Sequence, residues 1–260
     1  MTVQHPDSDR GPGSPRIKLI RPDWPAPENV QAFTTTRGGG HSQGVYASFN
    51  LGARRGDDPQ HVAKNRSLLR STAILPTDPA WLIQNHGTRV VDAAALNTTA
   101  PQADASFSTS PGVVCAVLTA DCLPVLFCDD QGQQVAASHA GWRGLAAGIL
   151  EATVAAMQVQ PEKLLAWMGP AIGPLAYQVG NEVRDQFITE IPTAESAFLA
   201  SDGDRWLADL YALASGRLKR IGVNRIYGGE YCTHSDPEQF FSYRRDGVYG
   251  CMASCIWYQA

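Results

Sequence analysis

The sequence lacks an apolar run of the roughly 18 residues that a membrane-spanning helix needs. It also lacks a basic excess, because 21 lysines and arginines face 25 aspartates and glutamates, for a net charge of −4. Such a charge does not attract nucleic acid. Residues 1–16 do not show the basic stretch followed by an apolar stretch that marks a secretory signal. We therefore expect a cytoplasmic protein with neither a nucleic-acid partner nor a membrane association.

Cysteine and histidine are scarce, with six of each. Six scattered cysteines are too few for a disulfide framework, and a cytoplasm would keep them reduced. Each one is therefore core filler, a metal ligand or a nucleophile. Cys115 and Cys128 lie within apolar runs, and Cys251 and Cys255 bracket the final strand-like stretch, so we expect all four in the core. Cys232 lies at a strand exit, where we favour a structural role over contact with substrate.

The chain length and composition suit one mixed α/β (α+β) domain. Apolar residues make up 44% of the 260 residues, which is enough for a sizeable core. Residues 1–16 have no apolar periodicity and are expected to be a disordered tail. No repeat or low-complexity break divides residues 17–260, which form the predicted domain. The oligomeric state stays open.

Local patterns predict several elements. β-Branched residues within 30–40 predict a strand, and the turn formers of 41–58 predict a long loop. Asp58 followed by Pro59 predicts a helix over about 59–73. Further elements are predicted as strands at 81–91 and 113–129 (interrupted at Asp121 to Pro124), a strand ending near His139, a helix to about Met157, a strand at 164–169, helices at 181–191 and 205–222, and strands at 225–232 and 251–259.

Three stretches, "QNHG", "ADCLP" and "SHAGWRG", place His86, Cys122 and His139 beside glycines or at strand ends. Zinc accepts thiolate and imidazole, and three protein ligands leave the fourth position open, as in catalytic sites. The spacing matches no zinc finger, and a lone histidine or cysteine is more often core. Their shared position at strand ends and turns favours a metal site. Asp121, beside Cys122, is a candidate for orienting a ligand or handling a proton.

"HAGWRG" places Gly141, Arg143 and Gly144 at the entry to the helix predicted to end near Met157. Free backbone amides at such an end, together with a guanidinium, can bind phosphate beside His139. The alternative is that the glycines allow close packing while Arg143 pairs with a surface acid.

Two polar loops supply weaker candidates, which could hold a sugar hydroxyl or a phosphate but could equally be solvated. They are Asn50, Arg54, Arg55, Asp57 and Asp58 in the first loop, and Tyr243, Arg244 and Arg245 in the second.

In this order, "QNHG", "LTADCLPVLF", "SHAGWRGLAAGI", "GPAIGP" and "FFSYRRDG" resemble the laccase-domain family, also called multicopper polyphenol oxidase or YfiH-type purine nucleoside phosphorylase. The resemblance runs from about residue 17 to the end. It implies a single domain of layered mixed β-sheets flanked by helices, grouped with YfiH-like cysteine hydrolases. It also implies a metal site, usually zinc, at the residues matching His86, Cys122 and His139. One departure is Cys251, where the family pattern has an arginine.

The resemblance implies phosphorolysis of adenosine, inosine, guanosine and methylthioadenosine, together with deamination of adenosine. It also implies two alternatives: copper-dependent oxidation of phenols, and peptidoglycan editing by an amidase that removes L-serine from a UDP-MurNAc cell-wall precursor. The expected partners are thus a purine nucleoside with phosphate, or a cell-wall precursor.

Elementary chemistry ranks these activities. Six histidines are hard to reconcile with a histidine-rich multicopper centre, although copper can still occupy a zinc site. An open zinc position suits both deamination and phosphorolysis. We therefore predict a zinc-dependent purine nucleoside phosphorylase with adenosine deaminase activity. Two alternatives remain: Cys122 acts as a nucleophile activated by His86 or His139, or the site only binds metal and is never used for turnover.

Overall fold

The computed structural model describes residues 17–96 and 99–260, so the predicted tail at 1–16 lies outside the described residues. The strands are β1 (Leu19–Ile20), β2 (Val30–Thr35), β3 (Val90–Asp92), β4 (Ala105–Ser108), β5 (Cys115–Thr119), β6 (Leu123–Asp129), β7 (Val135–Ala140), β8 (Leu164–Met168), β9 (Gln178–Gly180), β10 (Phe198–Ser201), β11 (Arg205–Ala208), β12 (Arg225–Gly228) and β13 (Met252–Tyr258). The α-helices are α1 (Pro59–Thr72), α2 (Trp142–Ala146), α3 (Ile149–Met157), α4 (Asn181–Glu190), α5 (Leu210–Arg220) and α6 (Tyr243–Asp246). Short 3₁₀ turns occupy Gly44–Tyr46, Ala93–Ala95, Pro161–Lys163 and Pro192–Ala197.

The strands form three sheets. A six-stranded sheet has the order β12-β8-β6-β7-β4-β3, with parallel pairs at its two edges and antiparallel pairs between them. A four-stranded antiparallel sheet has the order β1-β2-β13-β5. A small antiparallel sheet has the order β10-β11-β9. The prediction of a mixed α/β domain with layered sheets and flanking helices is confirmed.

Alternation along β6 shows how the layers are built. Val125 and Phe127 face the core formed with α3 and α5, whereas Leu126 and Cys128 face the core formed with the four-stranded sheet. The other face of the four-stranded sheet packs against Leu69 of α1. Residues two apart share a face of a strand, so β6 is apolar on both sides and lies in the centre of the layers.

Several predicted elements differ from the structure. Residues 81–89 are not a strand; the strand prediction holds only from Val90, where β3 begins. The backbone of Leu118 in β5 is paired here with a side chain and not with a neighbouring strand. The Gln84 amide accepts from the Leu118 N–H and donates to the Leu118 C=O, both at 2.8 Å. His86 then has φ 62°, which ends extended backbone.

Pro124 was expected to interrupt strand pairing, but it lies inside β6 opposite His139. Its carbonyl accepts from Gly169 N at 2.9 Å, just beyond the end of β8. In an antiparallel strand, the N–H and C=O of one residue point towards the same neighbouring strand. The N–H that Pro124 lacks would therefore point towards β8, which ends just before this position, so no ladder bond is lost. The interruption is made instead by the turn at Asp121.

The helix predicted to end near Met157 and the helix predicted at 205–222 are each divided. Gly148, with φ 94°, separates α2 from α3. Residues 205–208 form β11, and α5 begins only after Asp209, whose side chain accepts from Ala212 N. The helix predicted at 59–73 is confirmed as α1, with Asp58 capping Gln60 N.

Four of the cysteines, Cys115, Cys128, Cys251 and Cys255, have no exposed surface, which confirms their prediction as core residues. A search of the described helices finds none with the length and apolarity required to cross a bilayer.

Removing a central core side chain should cost far more than removing an exposed one. We expect Leu126→Ala, in the middle of β6 and fully buried, to lower the free energy of unfolding by about 2–5 kcal/mol, because it leaves a cavity. Leu199→Ala is the matched control, since Leu199 on β10 is 61% exposed. Urea unfolding followed by fluorescence measures both, and equal losses would contradict the layered core.

Candidate functional site

His86, Cys122 and His139 converge on one point, as the sequence predicts. One ligand atom from each lies within 4.8 Å of the other two. Cys122 Sγ lies 3.7 Å from His86 Nε2, and the two imidazole rings are 4.8 Å apart at 74°. Three separate segments supply them: the bend before β3, the turn between β5 and β6, and β7. Among residues 17–96 and 99–260 this is the one three-residue cluster suited to a metal ion.

Asp104, which immediately precedes β4, joins two of these segments. Its Oδ1 accepts from His139 Nδ1 at 2.8 Å and from His86 N at 2.9 Å. Its Oδ2 accepts from Gly87 N at 2.8 Å and from Asn85 N at 3.2 Å. The hydrogen bond to Nδ1 fixes the His139 tautomer, so that Nε2 is directed towards the cluster. Burial alone would raise the pKa of Asp104, but His139 and the backbone amides lower it below its usual value.

The turn that presents Cys122 depends on Asp121. Asp121 has φ 90°, which is rare for a residue with a side chain and costs on the order of 1–3 kcal/mol. Its carbonyl accepts from Ile172 N at 2.9 Å. Its carboxylate accepts from Thr233 Oγ1 at 2.6 Å, Ser242 Oγ at 3.0 Å and Arg244 N at 2.7 Å. These bonds hold the turn and bind the C-terminal loop to it.

The donor set fits zinc. Bonds of about 2.3 Å to sulfur and 2.0–2.1 Å to nitrogen at a tetrahedral angle place the two donor atoms about 3.6 Å apart. The separation of 3.7 Å between Cys122 Sγ and His86 Nε2 agrees with that value. Three protein ligands leave a fourth position for substrate, which is the pattern of a catalytic site.

The cluster also stabilises the Cys122 thiolate. Burial alone would raise the pKa of Cys122, but attraction to His139 and hydrogen bonds from both histidines outweigh it and lower the pKa. Burial likewise opposes charge on His139, yet the thiolate and Asp104 raise its pKa. Without metal, the two groups therefore form a thiolate–imidazolium pair, and the thiolate is the form that ligates a metal.

The cluster lies in a cavity of about 290 Å³ with aromatic and cationic walls. Three arginines of the lining each lie over the ring of an aromatic residue that also lines it. The pairs are Arg143 over Trp142 at 4.4 Å, Arg55 over Tyr249 at 4.8 Å and Arg244 over Tyr177 at 5.2 Å. A guanidinium stacked in this way can still donate from its N–H edge. Arg55 uses Nε on Cys251 Sγ at 3.3 Å, and Arg244 uses Nη1 on the Gln178 carbonyl at 2.7 Å.

Gly141 and Gly144 lie where their segment passes closest to the ligands. A Cβ on Gly141 would lie 2.6 Å from His86 Cδ2 and 3.1 Å from Cys122 Sγ. A Cβ on Gly144 would lie 2.9 Å from the Gly87 carbonyl oxygen. Both glycines are therefore required for close approach, which is the alternative weighed from the sequence. Phosphate binding at these amides stays a prediction, and α2 itself has only five residues.

The other sequence candidates divide between the cavity wall and the interior. Tyr243 and Arg244 line the cavity, as do Arg55 and Asp121. Asn50 is fully buried, and its side chain bonds Asp57, Gly52 and the Cys251 backbone N–H. It is not among the residues that line the cavity. Cys232 accepts from Gly173 N at 3.2 Å and is likewise outside the cavity lining.

Sequence reasoning missed four residues of the site: Asp104, Trp142, Tyr177 and Tyr249. Trp142 is part of "HAGWRG", so its place beside Arg143 was readable from the sequence. Asp104 and Tyr177 reach the site only through pairing of distant segments, and no local spacing points to them. Tyr249 lies two residues before Cys251, where the sequence departs from the family pattern.

Comparisons with known proteins show the family to which the chain belongs. Residues 31–259 match the family described as multi-copper polyphenol oxidoreductase laccase. The purine nucleoside phosphorylase YfiH of Escherichia coli is 53% identical over 92% of this chain and 98% of its own. A purine nucleoside phosphorylase of Pseudomonas aeruginosa is 52% identical over the same shares.

Among solved structures, the Neisseria meningitidis protein NMB0706 superposes with a TM-score of 0.91 at 52% identity, covering 93% of this chain and 99% of its own. The curated relatives carry the names of enzymes, which confirms the prediction that this chain is one. The predicted resemblance is also confirmed: the chain belongs to the multi-copper polyphenol oxidoreductase laccase family, whose YfiH members are named purine nucleoside phosphorylases.

Proposed function

We propose that the protein is a purine nucleoside phosphorylase that uses zinc held by His86, Cys122 and His139. The observation that carries the proposal is the convergence of these ligands on a cavity whose walls are stacked arginine–aromatic pairs. The names of the relatives at 52–53% identity support it. Zinc, when bound, would act as a Lewis acid towards an oxygen of substrate or phosphate.

The aromatic walls suit the purine. The cavity of about 290 Å³ is at the small end of ligand sites, which fits a nucleoside. The rings of Trp142, Tyr177 and Tyr249 offer flat apolar surface on which a base can stack. Burial raises the pKa of Tyr177, so its phenol stays protonated and can donate to the ligand.

The arginines suit the phosphate. Arg55, Arg143 and Arg244 line the cavity, and none forms a salt bridge with a carboxylate in the described part of the chain. Guanidinium edges bind phosphate oxygens in a bidentate manner and would hold the anion beside the sugar. In phosphorolysis a phosphate oxygen forms a bond to the anomeric carbon while the bond from that carbon to the base nitrogen breaks, and the base leaves protonated.

The expected substrates are adenosine, inosine, guanosine and methylthioadenosine, with deamination of adenosine as a second reaction of the same cavity. Copper could occupy the same ligands, but oxidation by a multicopper centre needs further clusters. Among the described residues only one three-ligand group is present, which favours the phosphorylase.

A second candidate function has its own observation in favour. The contact of 3.7 Å between Cys122 Sγ and His86, with the lowered pKa of the thiol, is the arrangement of a cysteine nucleophile. In that function Cys122 would attack the amide carbonyl of a cell-wall precursor to form a thioester, and the amine of L-serine would leave with a proton from a neighbouring imidazole. Water would then hydrolyse the thioester and restore the thiol. A metal ion and this nucleophilic role compete, because ligation to the metal draws charge from the thiolate and lowers its nucleophilicity.

Replacing the thiolate ligand should remove both metal and activity. We expect Cys122→Ser to lose most of its bound zinc and to reduce phosphate-dependent adenosine turnover by more than about 100-fold, since losing a partner that only orients a ligand already costs 10–100-fold. Cys232→Ser is the matched control, because Cys232 is also half-buried but outside the cavity. Elemental analysis and chromatography of the released base measure the two effects; full zinc and turnover in Cys122→Ser would refute the assignment.

Weakening the Asp104 bonds should loosen zinc without removing a ligand. Asp104→Asn keeps the shape of the side chain. It replaces the oxygen that accepts from the Asn85 and Gly87 backbone N–H groups with an amide NH₂, which is a donor. We expect zinc affinity to fall about 10–100-fold, measured by competition with a chelator, while the bound state at saturating zinc keeps its fold. Asp78→Asn, at an exposed carboxylate, is the control. An unchanged affinity in Asp104→Asn would show that the carboxylate does not position the ligands.

The metal-free protein should show an ionised Cys122 at neutral pH. The pKa of Cys122 is lowered below the ordinary thiol value of about 8.5. The thiolate is therefore present at pH values above this lowered pKa and is lost only as the pH falls through it. We expect iodoacetamide to modify Cys122 rapidly at pH 7, and zinc to protect it. Mass spectrometry locates the adduct, with Cys122→Ser as the blank. A midpoint at or above 8.5 would contradict the thiolate–imidazolium pair.

A further inference from the structure

Cys251, immediately before β13, does not line the metal cavity, but its three polar groups all bond the loop segment 50–55. Its N–H donates to Asn50 Oδ1 at 2.9 Å, and its carbonyl accepts from Leu51 N at 3.1 Å. Its sulfur, which is fully buried, accepts from Arg55 Nε at 3.3 Å. Arg55 in turn lines the cavity. The segment before β13 therefore holds the loop that brings a guanidinium to the cavity.

Tyr249 supplies the other contact of this guanidinium from the same segment. Arg55 Cζ lies over the Tyr249 ring at 4.8 Å. The ring contacts the face of the guanidinium, whereas a hydrogen bond from Nε lies in its plane. The packing around the sulfur is close, because a Cβ on Gly52 would lie 3.0 Å from both Cys251 Sγ and Arg55 Cγ. Ring and sulfur together set the position and the plane of the Arg55 guanidinium.

The sulfur binds Arg55 without neutralising its charge. Burial raises the pKa of Cys251, although Arg55 opposes this effect, so the side chain stays a thiol at neutral pH. A neutral thiol is a weak acceptor, whereas a carboxylate would cancel the charge of the guanidinium. Within residues 17–96 and 99–260, Arg55 forms no salt bridge, and its Nη1 and Nη2 donate no hydrogen bond. The positive charge and two nitrogens of Arg55 are thus left for a ligand.

We propose that Cys251 is a positioning residue for the phosphate co-substrate: its sulfur fixes Arg55 through Nε, so that Nη1 and Nη2 of Arg55 bind inorganic phosphate in the metal cavity. The inference rests on the proposed function in taking phosphate as the anion that Arg55 binds. A guanidinium donates to two oxygens of one phosphate only when its plane is aligned with them. Cys251 sets this plane and acts through Arg55, not by contact with substrate.

Steady-state kinetics separates positioning from a general structural role. We expect Cys251→Ala to raise the KM for phosphate about fivefold, because a hydrogen bond that orients Arg55 is lost. The KM for adenosine and the kcat at saturating phosphate should stay within about twofold, because phosphate binding alone is weakened. Cys251→Ser restores an acceptor and should return the KM for phosphate to within about twofold of the wild-type value.

The matched control is Cys255→Ala, since Cys255 is an equally buried cysteine on β13. We expect its KM for phosphate to stay within about twofold of the wild-type value. A fall in kcat with an unchanged KM for phosphate in Cys251→Ala would overturn the proposal. The same rise in KM in Cys255→Ala would also overturn it, because any buried cysteine would then have the effect.

A double-mutant cycle tests whether Cys251 acts through Arg55. Calorimetry measures the Kd of inorganic phosphate, without turnover, in the wild-type protein, Cys251→Ala, Arg55→Ala and the double variant. We expect Cys251→Ala to raise the Kd about fivefold when Arg55 is present, and less than about twofold when Arg55 is replaced by alanine. Equal factors in the two backgrounds would refute the positioning role, as would the absence of measurable phosphate binding to the wild-type protein.

The two measurements also distinguish this inference from the proposed function. If phosphate binding shows the expected coupling while adenosine is not phosphorolysed, the proposed function fails and the role of Cys251 stands. If adenosine is phosphorolysed but Cys251→Ala leaves both the KM and the Kd of phosphate unchanged, the role of Cys251 is refuted and the proposed function stands.

Discussion

Four hydrogen bonds converge on the two carboxylate oxygens of Asp104, three from consecutive backbone amides and one from His139. The amides belong to the bend that carries His86, and that bend has no strand ladder to hold it. The His139 backbone N–H also donates to the Asp104 carbonyl at 2.7 Å. One residue thereby fixes the position of one ligand, the tautomer of another and the distance between them. The two imidazoles held in this way are the groups that lower the pKa of Cys122 against the effect of burial.

Charge in the cleft is the second constraint. The cavity is lined by three arginines, Arg55, Arg143 and Arg244. The carboxylate at their floor, Asp121, accepts three hydrogen bonds and has little exposed surface. The Asp121 carboxylate therefore stabilises the turn and does not form an ion pair with the arginines. Such a surface would attract the phosphate of the proposed reaction, and low-dielectric walls would strengthen that attraction.

The sequence is informative where a signal is local. Asp58 before Pro59 defines the start of α1, and glycines or strand ends next to His86, Cys122 and His139 single out the ligands. The structure brings all three together. Asp104 could not be found in this way, because its partners are set by the pairing of β4 with β7 and by a bend that side-chain bonds of Gln84 create. The prediction at Pro124 was wrong for a related reason. The missing N–H of a proline interrupts strand pairing only where a neighbouring strand lies opposite that N–H, and β8 ends just before this position.

The strained turn at Asp121 explains why two polar residues, Asp121 and Cys122, occur between the buried strands β5 and β6. The left-handed φ of Asp121 turns the chain back at once, so that β5 and β6 diverge into different sheets while Cys122 stays at their junction. A glycine would adopt that φ more readily. It would, however, lose the carboxylate that ties Thr233, Ser242 and Arg244 to the floor of the cavity. The cost in backbone energy is therefore offset by bonds that place Tyr243 and Arg244 in the wall of the cavity, next to the turn that carries Cys122.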